Sequence, residues 1–544
     1  MSSFEQLIAT HIQAVTGIDP ELRPATKPEF GHYQTNVALR LAKTAGKPPR
    51  EVATELVGQL DLADTCEPPE IAGPGFINLR IKADVLAQAA TQVLQAEQAG
   101  LPKADQPQVV VIDYSSPNVA KQMHVGHLRS TVIGDCFRRI FLALGHTVIA
   151  QNHLGDWGRQ FGMLVEQIRY EGLNISTLDL PGAEALYLRA NQHLKESAEF
   201  AEQARERVVL LQAGDAETKR IWQALIDVSL TGFNATYQRM GILLGNADVA
   251  GESSYNDDLP VIAADLEQRG IAQMDAGALV VFVDGDATPA IIRNSQGGYG
   301  YTCTDLAAIR RRVNEMHADR LIYVVGTPQA HHFAQLFAVA RQAGYLPDEV
   351  VTEHAGFGQV LGKDGKRFAT REGTAVPLNE LLDAAEEHAA PAVALAAIKY
   401  ADLSSQLQKD YVYDIERMVA TTGDTGPYLQ YAHARTCAVM RNAVEQGVEY
   451  AAVTQVAAPE EQTLALLLSR FGETVSLVAE TLQPHRLCGY LFELASAFSS
   501  FYENCPILKS EPEIRASRLA LTAAVRQVLA TGLDLLGITA PERM

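Results

Sequence analysis

VVVIDYSSPNVAKQMHVGHLRSTVIGD, residues 109–135, opens on a β-branched run and closes in a helical pattern. The run VVVIDY (109–114) reads as a buried strand. Ile133, Cys136, Phe137, Ile140, Phe141 and Leu144 recur at three- and four-residue spacing and give the following helix one apolar face. His124, Gly126 and His127 therefore fall at the carboxyl end of a strand and the start of a helix, where doubly wound folds bind ligands. Further short β-branched runs follow at TVIA (147–150), ALVVFV (278–283), RLIYVV (320–325) and VVTEH (350–354), with helical patterns between them. Strands alternating with helices predict an α/β domain built on a doubly wound, Rossmann-like parallel sheet.

Working outward, the chain of 544 residues is too long for one core and divides into about three domains. Residues 1–105 read as a separate α+β unit, with an early helical pattern, the turn-rich GHYQTN and the apolar IAGPGFINLRI, ended by a polar, proline-containing break over 103–107. Residues 106–385 form the catalytic candidate. After about residue 378 the strand pattern stops, and helices are expected over 391–408, 427–446, 459–482, 484–504 and 513–536. In the last, Leu521, Val525, Val528, Leu529 and Leu536 make an apolar stripe and Gly537 a stop. An all-α bundle over 386–544 is the expectation.

The formal charge of −20 argues against a protein that coats nucleic acid unselectively, because phosphate neutralisation supplies most of that affinity. Local basic clusters at Arg310, Arg311 and Arg312, and at Lys363, Lys366, Arg367 and Arg371, are compatible with a specific RNA track and equally with solvated faces. The six cysteines lie far apart with no C-x-x-C pair and read as small buried hydrophobes, so no structural metal is expected. No run of ~20 apolar residues spans a bilayer, and MSSFEQLIATHIQAV lacks a basic leader pattern. A cytoplasmic location is expected.

His124-Val125-Gly126-His127 resembles the histidine-x-glycine-histidine element of class I aminoacyl-tRNA synthetases. Attack of a carboxylate on the α-phosphate of ATP builds charge on phosphate oxygens and on departing pyrophosphate, so catalysis is positioning plus donors aimed at that charge. Two imidazoles one turn apart, a helix N-terminus and a glycine that admits adenine or ribose suit that need. The same spacing suits a metal, but no third ligand follows at a recognisable distance. GFGQVLGKDGKRFATREG (356–373) resembles the mobile lysine loop of the same class; it also reads as a basic surface turn. Histidine element, long insertion, lysine loop and helical bundle occur in the order of that class. The implied ATP-binding residues are His124, Gly126, His127, Lys363 and Lys366.

Within the class, SSPNVAK (115–121), NHLGDWGRQFG (152–162), GGYGYTCTDLAA (297–308), LGKDGKRF (361–368), GDTGPYLQYAHAR (423–435) and LGITAPERM (536–544) resemble the arginyl family along the whole chain. The resemblance implies activation of L-arginine with ATP, Mg2+ accompanying the ATP, and transfer to the 3′ end of tRNA(Arg). It implies that Lys121 compensates a degenerate lysine loop, that Asn118 and Gln329 hold the α-amino group, and that Tyr301, Asp305 and Asp113 surround the guanidinium. Those types suit a planar cation with five donors. Asp305 also reads as a helix cap.

The N-terminal unit resembles the domain these enzymes lay against the tRNA elbow, and the bundle resembles their anticodon-binding domain. There Tyr428, Gln430, Tyr431 and Arg435 are the implied tRNA contacts, with core packing as the alternative for the tyrosines. Where the family carries an Asn-Arg or Asp-Arg pair, this chain has Gln406-Leu407. No membrane partner and a monomer are expected. A non-catalytic regulator would need neither histidine nor lysines, and a stand-alone nucleotidyltransferase would lack the bundle.

Overall fold

In a computed structural model that describes residues 3–25, 27–368 and 375–544, the run after Gln108 forms strand β1 (Val109–Asp113) and leads into helix α1 (Val125–Ala143). Arg371 lies outside the described residues. The chain divides into two units, Ala104–Ala420 with Leu536–Ile538, and Met1–Lys103 with Thr421–Leu535 and Thr539–Met544.

In the first unit β1 is joined by β2 (Thr147–Gln151), β3 (Arg320–Tyr323) and β4 (Val351–His354). The four strands pair in parallel in the order β4-β3-β1-β2. The chain therefore leaves β1 on one side through β2 and returns on the other through β3. That reversal makes the crevice between the carboxyl ends of β1 and β3 the place for a ligand. Asp113 and Tyr323 face each other there in register. Val111, Leu321 and Tyr323 pack against Leu306 and Ile309 of α3 (Tyr301–Asn314) and Leu336 and Val339 of α4 (Ala330–Gln342), all buried.

Between β2 and α3 the chain inserts helices Arg159–Glu171, Leu180–Glu196, Ala198–Ala213 and Ala216–Met240. The ALVVFV run departs from the expected parallel sheet: Ala278–Val281 is the middle of an antiparallel three-stranded sheet with Gln273–Asp275 and Ala290–Arg293. The cause is local. Ala276 and Gly277 both take positive φ, 45° and 83°, in the two-residue turn between Asp275 and Ala278. Such a turn returns the chain antiparallel at once.

The helical tail is also more broken than its periodicity implies. The first helix ends at Ser404, where the Ser405 hydroxyl donates back to Ala401 O at 3.0 Å. Tyr411–Val412 then pairs in parallel with Val360–Leu361. The stretch 459–482 forms two helices, Pro459–Ser469 and Phe471–Thr481, divided at Arg470, whose N–H reaches Leu467 O at 3.0 Å in a turn tighter than α.

The second unit combines chain ends. Its N-terminal part carries a four-stranded antiparallel sheet, in the order Arg23–Pro24, Tyr33–Thr35, Phe76–Leu79, Glu70–Ala72. Tyr33, Ile77 and Leu79 are buried in it. The helix Ala83–Gln95 that follows lies among the C-terminal helices: Val453 N–H donates to Thr91 Oγ1 at 2.9 Å, and Gln527 Nε2 donates to Ala96 O at 2.7 Å.

Candidate active site

The linker between β1 and α1 is held in a backbone shape that its residues do not favour. Ser115, Ser116 and Ala120 have φ of 73°, 48° and 62°, left-handed values costly for residues with a Cβ. Bonds from several elements hold it. Ser115 N–H donates to Ser130 Oγ at 2.8 Å, Ser116 N–H to Asn152 Oδ1 at 3.0 Å and Ala120 N–H to Ser229 Oγ at 2.9 Å. Tyr237 OH lies 2.7 Å from Ser115 Oγ and accepts from Asn152 Nδ2 at 3.1 Å. Asn118 bridges to Gly155 at the exposed lip of this turn.

The linker delivers His124 to the N-cap of α1. Gly126 N–H donates to His124 Nδ1 at 3.0 Å, His124 N–H donates to His127 Nδ1 at 3.1 Å, and the two rings lie 4.0 Å apart between centroids. A Cβ on residue 126 would stand 2.7 Å from His124 Cε1, so the glycine makes room for the capping imidazole itself. With both Nδ1 atoms accepting, both rings carry their proton on Nε2. Burial, with His124 beside it, pushes His127 down to about 3. Burial and the charges of Arg367 and Lys121 lower His124 as well. The pair is thus two neutral imidazoles, each with an Nε2–H to donate.

On α3, Tyr301, Asp305 and Arg312 share one face by their four- and seven-residue spacing. Arg312, fully buried, donates from Nη2 to Asp113 Oδ2 at 2.6 Å, while Ser116 Oγ donates to Asp113 Oδ1 at 3.1 Å. Asp113 therefore already holds a guanidinium, one belonging to the chain. Asp305 lies inside the helix, whose N-cap is Gly300, and so does not cap it; its Oδ2 pairs with His332 Nε2 at 2.7 Å. Tyr301 is 78% exposed and Gln329, before α4, is exposed too.

Glu252 joins this group, a residue that sequence reasoning did not single out. Burial, followed by the charges of Asp156 and Asp305, pushes its carboxyl up to about 7. Asp156 is itself raised by burial although Ser253 donates to it from N at 2.8 Å and Oγ at 2.6 Å. The only hint in the sequence was the acidic, turn-forming GESSYNDD.

The lysine segment forms a hairpin in its described part: Phe368 N–H donates to Val360 O at 3.0 Å and Gly362 N–H to Lys366 O at 2.8 Å. Lys363 Nζ is held by Glu416 Oε2 at 2.9 Å and Asp414 Oδ1 at 3.0 Å. Lys366 is exposed. Lys121 Nζ stands 4.2 Å over the Tyr187 ring. Val376 O accepts from Val125 N–H at 2.9 Å, so the chain after the hairpin returns to the start of α1. At the Gln406-Leu407 departure, Leu407 O accepts from Gly358 N–H at 2.9 Å, and the fully buried Arg129 donates to Lys409 O at 2.9 Å.

In the bundle, Arg435 stacks 4.9 Å from the Tyr431 ring and 5.0 Å from the Tyr502 ring, and donates to Tyr431 OH at 2.9 Å. Both tyrosines are exposed. Tyr428 is half-buried with its ring 5.6 Å from Phe492. Gln430 is fully buried and donates to Thr539 O at 2.9 Å, so it fastens the C-terminal segment instead of facing solvent. Tyr502 was not anticipated, being 67 residues from Arg435 in sequence, 502 against 435.

Among the described residues no three His, Cys, Asp or Glu side chains converge as metal ligands would, and no helix is long and apolar enough to cross a membrane.

Comparison with known proteins bears on this geometry. Family models described as "tRNA synthetases class I (R), catalytic domain", "DALR anticodon binding domain" and "Arginyl tRNA synthetase N terminal domain" match residues 89–392, 429–544 and 2–81. The chain is 59% identical to an arginine--tRNA ligase of Cutibacterium acnes, with 100% of both chains covered. It is 45% identical to that of Thermobifida fusca, again over 100% of each. Among solved structures it is similar to the arginyl-tRNA synthetase of Plasmodium falciparum, with a TM-score of 0.83, 26% identity and 100% of both chains covered. That of Thermus thermophilus gives a TM-score of 0.80 at 27% identity over 99% of each.

Proposed function

We infer, because the chain belongs to the arginyl-tRNA synthetases, that it activates L-arginine with ATP to arginyl-adenylate and transfers the arginyl group to the 3′ end of tRNA(Arg), releasing AMP and pyrophosphate. The observation that carries the reading is the pairing of two chemistries at one end of the parallel sheet. Neutral Nε2–H donors stand at the start of α1, and carboxylates gather on α3 and around Glu252.

In the first step the arginine carboxylate attacks the α-phosphorus of ATP and pyrophosphate leaves. His124 and His127 donate to phosphate oxygens as charge builds on them, and because both are neutral they do so without giving up a proton. The N-terminal peptides of α1 add to the same field. Lys121, Lys363 and Lys366 offset the charge of the leaving pyrophosphate, and Mg2+ enters with the ATP. The arginine guanidinium lies against Asp305 and Glu252, with Tyr301 over its plane and Asp113 contributing through its pair with Arg312. Asn118 and Gln329 hold the α-amino group. Lysine's compact ammonium cannot engage two carboxylates through a planar fork, which favours arginine. In the second step a terminal ribose hydroxyl of tRNA attacks the arginyl carbonyl and AMP leaves.

The tRNA meets the N-terminal part through its elbow and the bundle through its anticodon. Tyr431, Arg435 and Tyr502 there offer stacking faces to unpaired bases. The division into residues 1–105, 106–385 and 386–544 follows these roles. The chain works as a monomer in the cytoplasm.

The test is arginine-dependent exchange of pyrophosphate into ATP, with and without tRNA(Arg), alongside charging of that tRNA. Absence of exchange with arginine in the presence of tRNA removes the reading in favour of a non-catalytic regulator, and preference for another amino acid overturns the arginine assignment.

A further inference from the structure

Two neighbouring histidines at the start of α4 are each tied to an aspartate from a different element. His331 Nε2 lies 2.9 Å from Asp286 Oδ2, and Gln335 Nε2 donates to the same oxygen at 3.0 Å and to Thr288 O at 2.7 Å. These bonds pin the first turn of α4 to the hairpin around Asp286. The next residue, His332, has its ring edge-on to Phe333 at 5.4 Å and its Nε2 at 2.7 Å from Asp305 Oδ2. Both partners are mostly enclosed, with side chains 27% and 24% exposed.

A carboxylate on a helix has two free torsions, and it receives a planar guanidinium well only when its own plane is fixed. Among the described residues Asp305 has one side-chain partner, His332 on Oδ2. The other oxygen is left for a ligand. We propose that His332 is a positioning residue for amino-acid selection: by holding Asp305 Oδ2 it fixes the carboxylate plane and presents Oδ1 to the guanidinium of the substrate. Nε2 carries the shared proton whether the ring is neutral or charged, because the Asp305 carboxylate favours the protonated form. The proposal rests on Asp305 meeting the substrate cation.

The chemistry sets the variants. A glutamine amide nitrogen reaches the place of a histidine Nε2, whereas an asparagine amide reaches only that of Nδ1. His332→Gln is therefore expected to keep the arginine KM of the parent in tRNA-supported pyrophosphate exchange. His332→Asn is expected to raise it roughly ten-fold, the scale of a lost charge-assisted hydrogen bond, with kcat and the ATP KM unchanged. L-citrulline, which replaces the guanidinium by a neutral ureido group, separates positioning from general damage. A loosened carboxylate weakens the cation more than the neutral isostere, so the ratio of citrulline Ki to arginine KM falls in His332→Asn. A deformed pocket weakens both alike.

Equal weakening of both ligands, or an unchanged arginine KM in His332→Asn, overturns the assignment. Asp305→Asn is measured beside them. If it too leaves the arginine KM unchanged, the placement of arginine at Asp305 fails; if it raises the KM while His332→Asn does not, the role of His332 alone fails.

Discussion

Arg312 Nη2 sits 2.6 Å from Asp113 Oδ2, joining the last turn of α3 to the carboxyl end of β1 through two side chains with 1% and 10% exposure. The guanidinium also lies 5.1 Å from the Tyr323 ring, on the neighbouring strand. Burial disfavours the charge on Arg312, but Asp113 and the surrounding tyrosines more than compensate and raise its pKa. In the proposed complex a substrate guanidinium would meet an Asp113 whose charge is already largely matched, which leaves its recognition to Asp305 and Glu252.

Removing one member of this pair strands the other. Arg312→Met keeps the volume and removes the cation, leaving Asp113 buried and unpaired, which costs about 3–5 kcal/mol in such settings. Denaturant unfolding followed by fluorescence measures it. An unchanged midpoint would show that Asp113 is solvated or protonated at no cost, and the pair is then incidental to the fold.

Glu252 gives a pH dependence. Its carboxyl is raised from 4.5 to about 7. Because the folded value is the higher one, the unliganded protein binds more protons than its unfolded chain between those values. Stability from this group falls as pH rises from 4.5 towards 7. Arginine reverses the preference: a guanidinium favours the carboxylate, so binding near pH 7 releases a proton. At about two pH units higher the group is already ionised and the release disappears. Calorimetry in buffers of different ionisation enthalpy reads the proton count directly. Glu252→Gln should abolish the buffer dependence and weaken arginine binding; persistence of the release in that variant points to another group.

What could be read from the sequence follows the range of the interactions. β1, α1 and the placing of His124 at a helix start depend on residues within about one turn of each other, so strand composition and apolar spacing carried them. Asp113–Arg312 and Asp305–His332 join residues 199 and 27 apart, and no local pattern encodes them. The Ala278–Val281 error has the same origin in reverse: a β-branched run specifies a strand, but the Ala276-Gly277 turn specifies its partner. Gly126 is instructive because its expected use was nucleotide approach, while its nearest contact is the His124 ring.

The histidines cap the start of α1 and, in the proposed mechanism, donate to phosphate; two substitutions separate these roles at residue 127. Asparagine places an acceptor near Nδ1 and so retains the bond from His124 N–H, but it has nothing at Nε2. Glutamine offers its amide nitrogen near Nε2 and loses the cap. If the Nε2–H stabilises the transition state, His127→Asn lowers kcat of pyrophosphate exchange by about 10²-fold or more with thermal stability near that of the parent. His127→Gln keeps more activity at lower stability. The opposite ranking returns His127 to a purely structural role. Since the ring is neutral down to about pH 3, the acid limb of the kcat profile contains no titration of this residue.

The last prediction concerns Lys363, whose ammonium is occupied by Glu416 and Asp414 rather than offered to a phosphate. These carboxylates raise its pKa, so the lysine stays charged throughout the working range. Lys363 and Glu416 are exposed and Asp414 is half-buried, and contacts of so open a lysine are weak and screened by salt. ATP, with several negative charges, can therefore draw the lysine away, and the two carboxylates compete with it. Glu416→Gln combined with Asp414→Asn should lower the ATP KM by a few-fold at low ionic strength and by less at high salt, while Lys363→Ala raises it and lowers kcat. Comparing the ATP KM of the three proteins at two salt concentrations checks this, with melting curves confirming that each remains folded. If Lys363→Ala matches the parent at both salts, Lys363 is only a surface charge on the hairpin. Neutralising the triphosphate would then fall to Lys121, Lys366 and Arg367, of which Lys121 and Arg367 are the charges that reach His124.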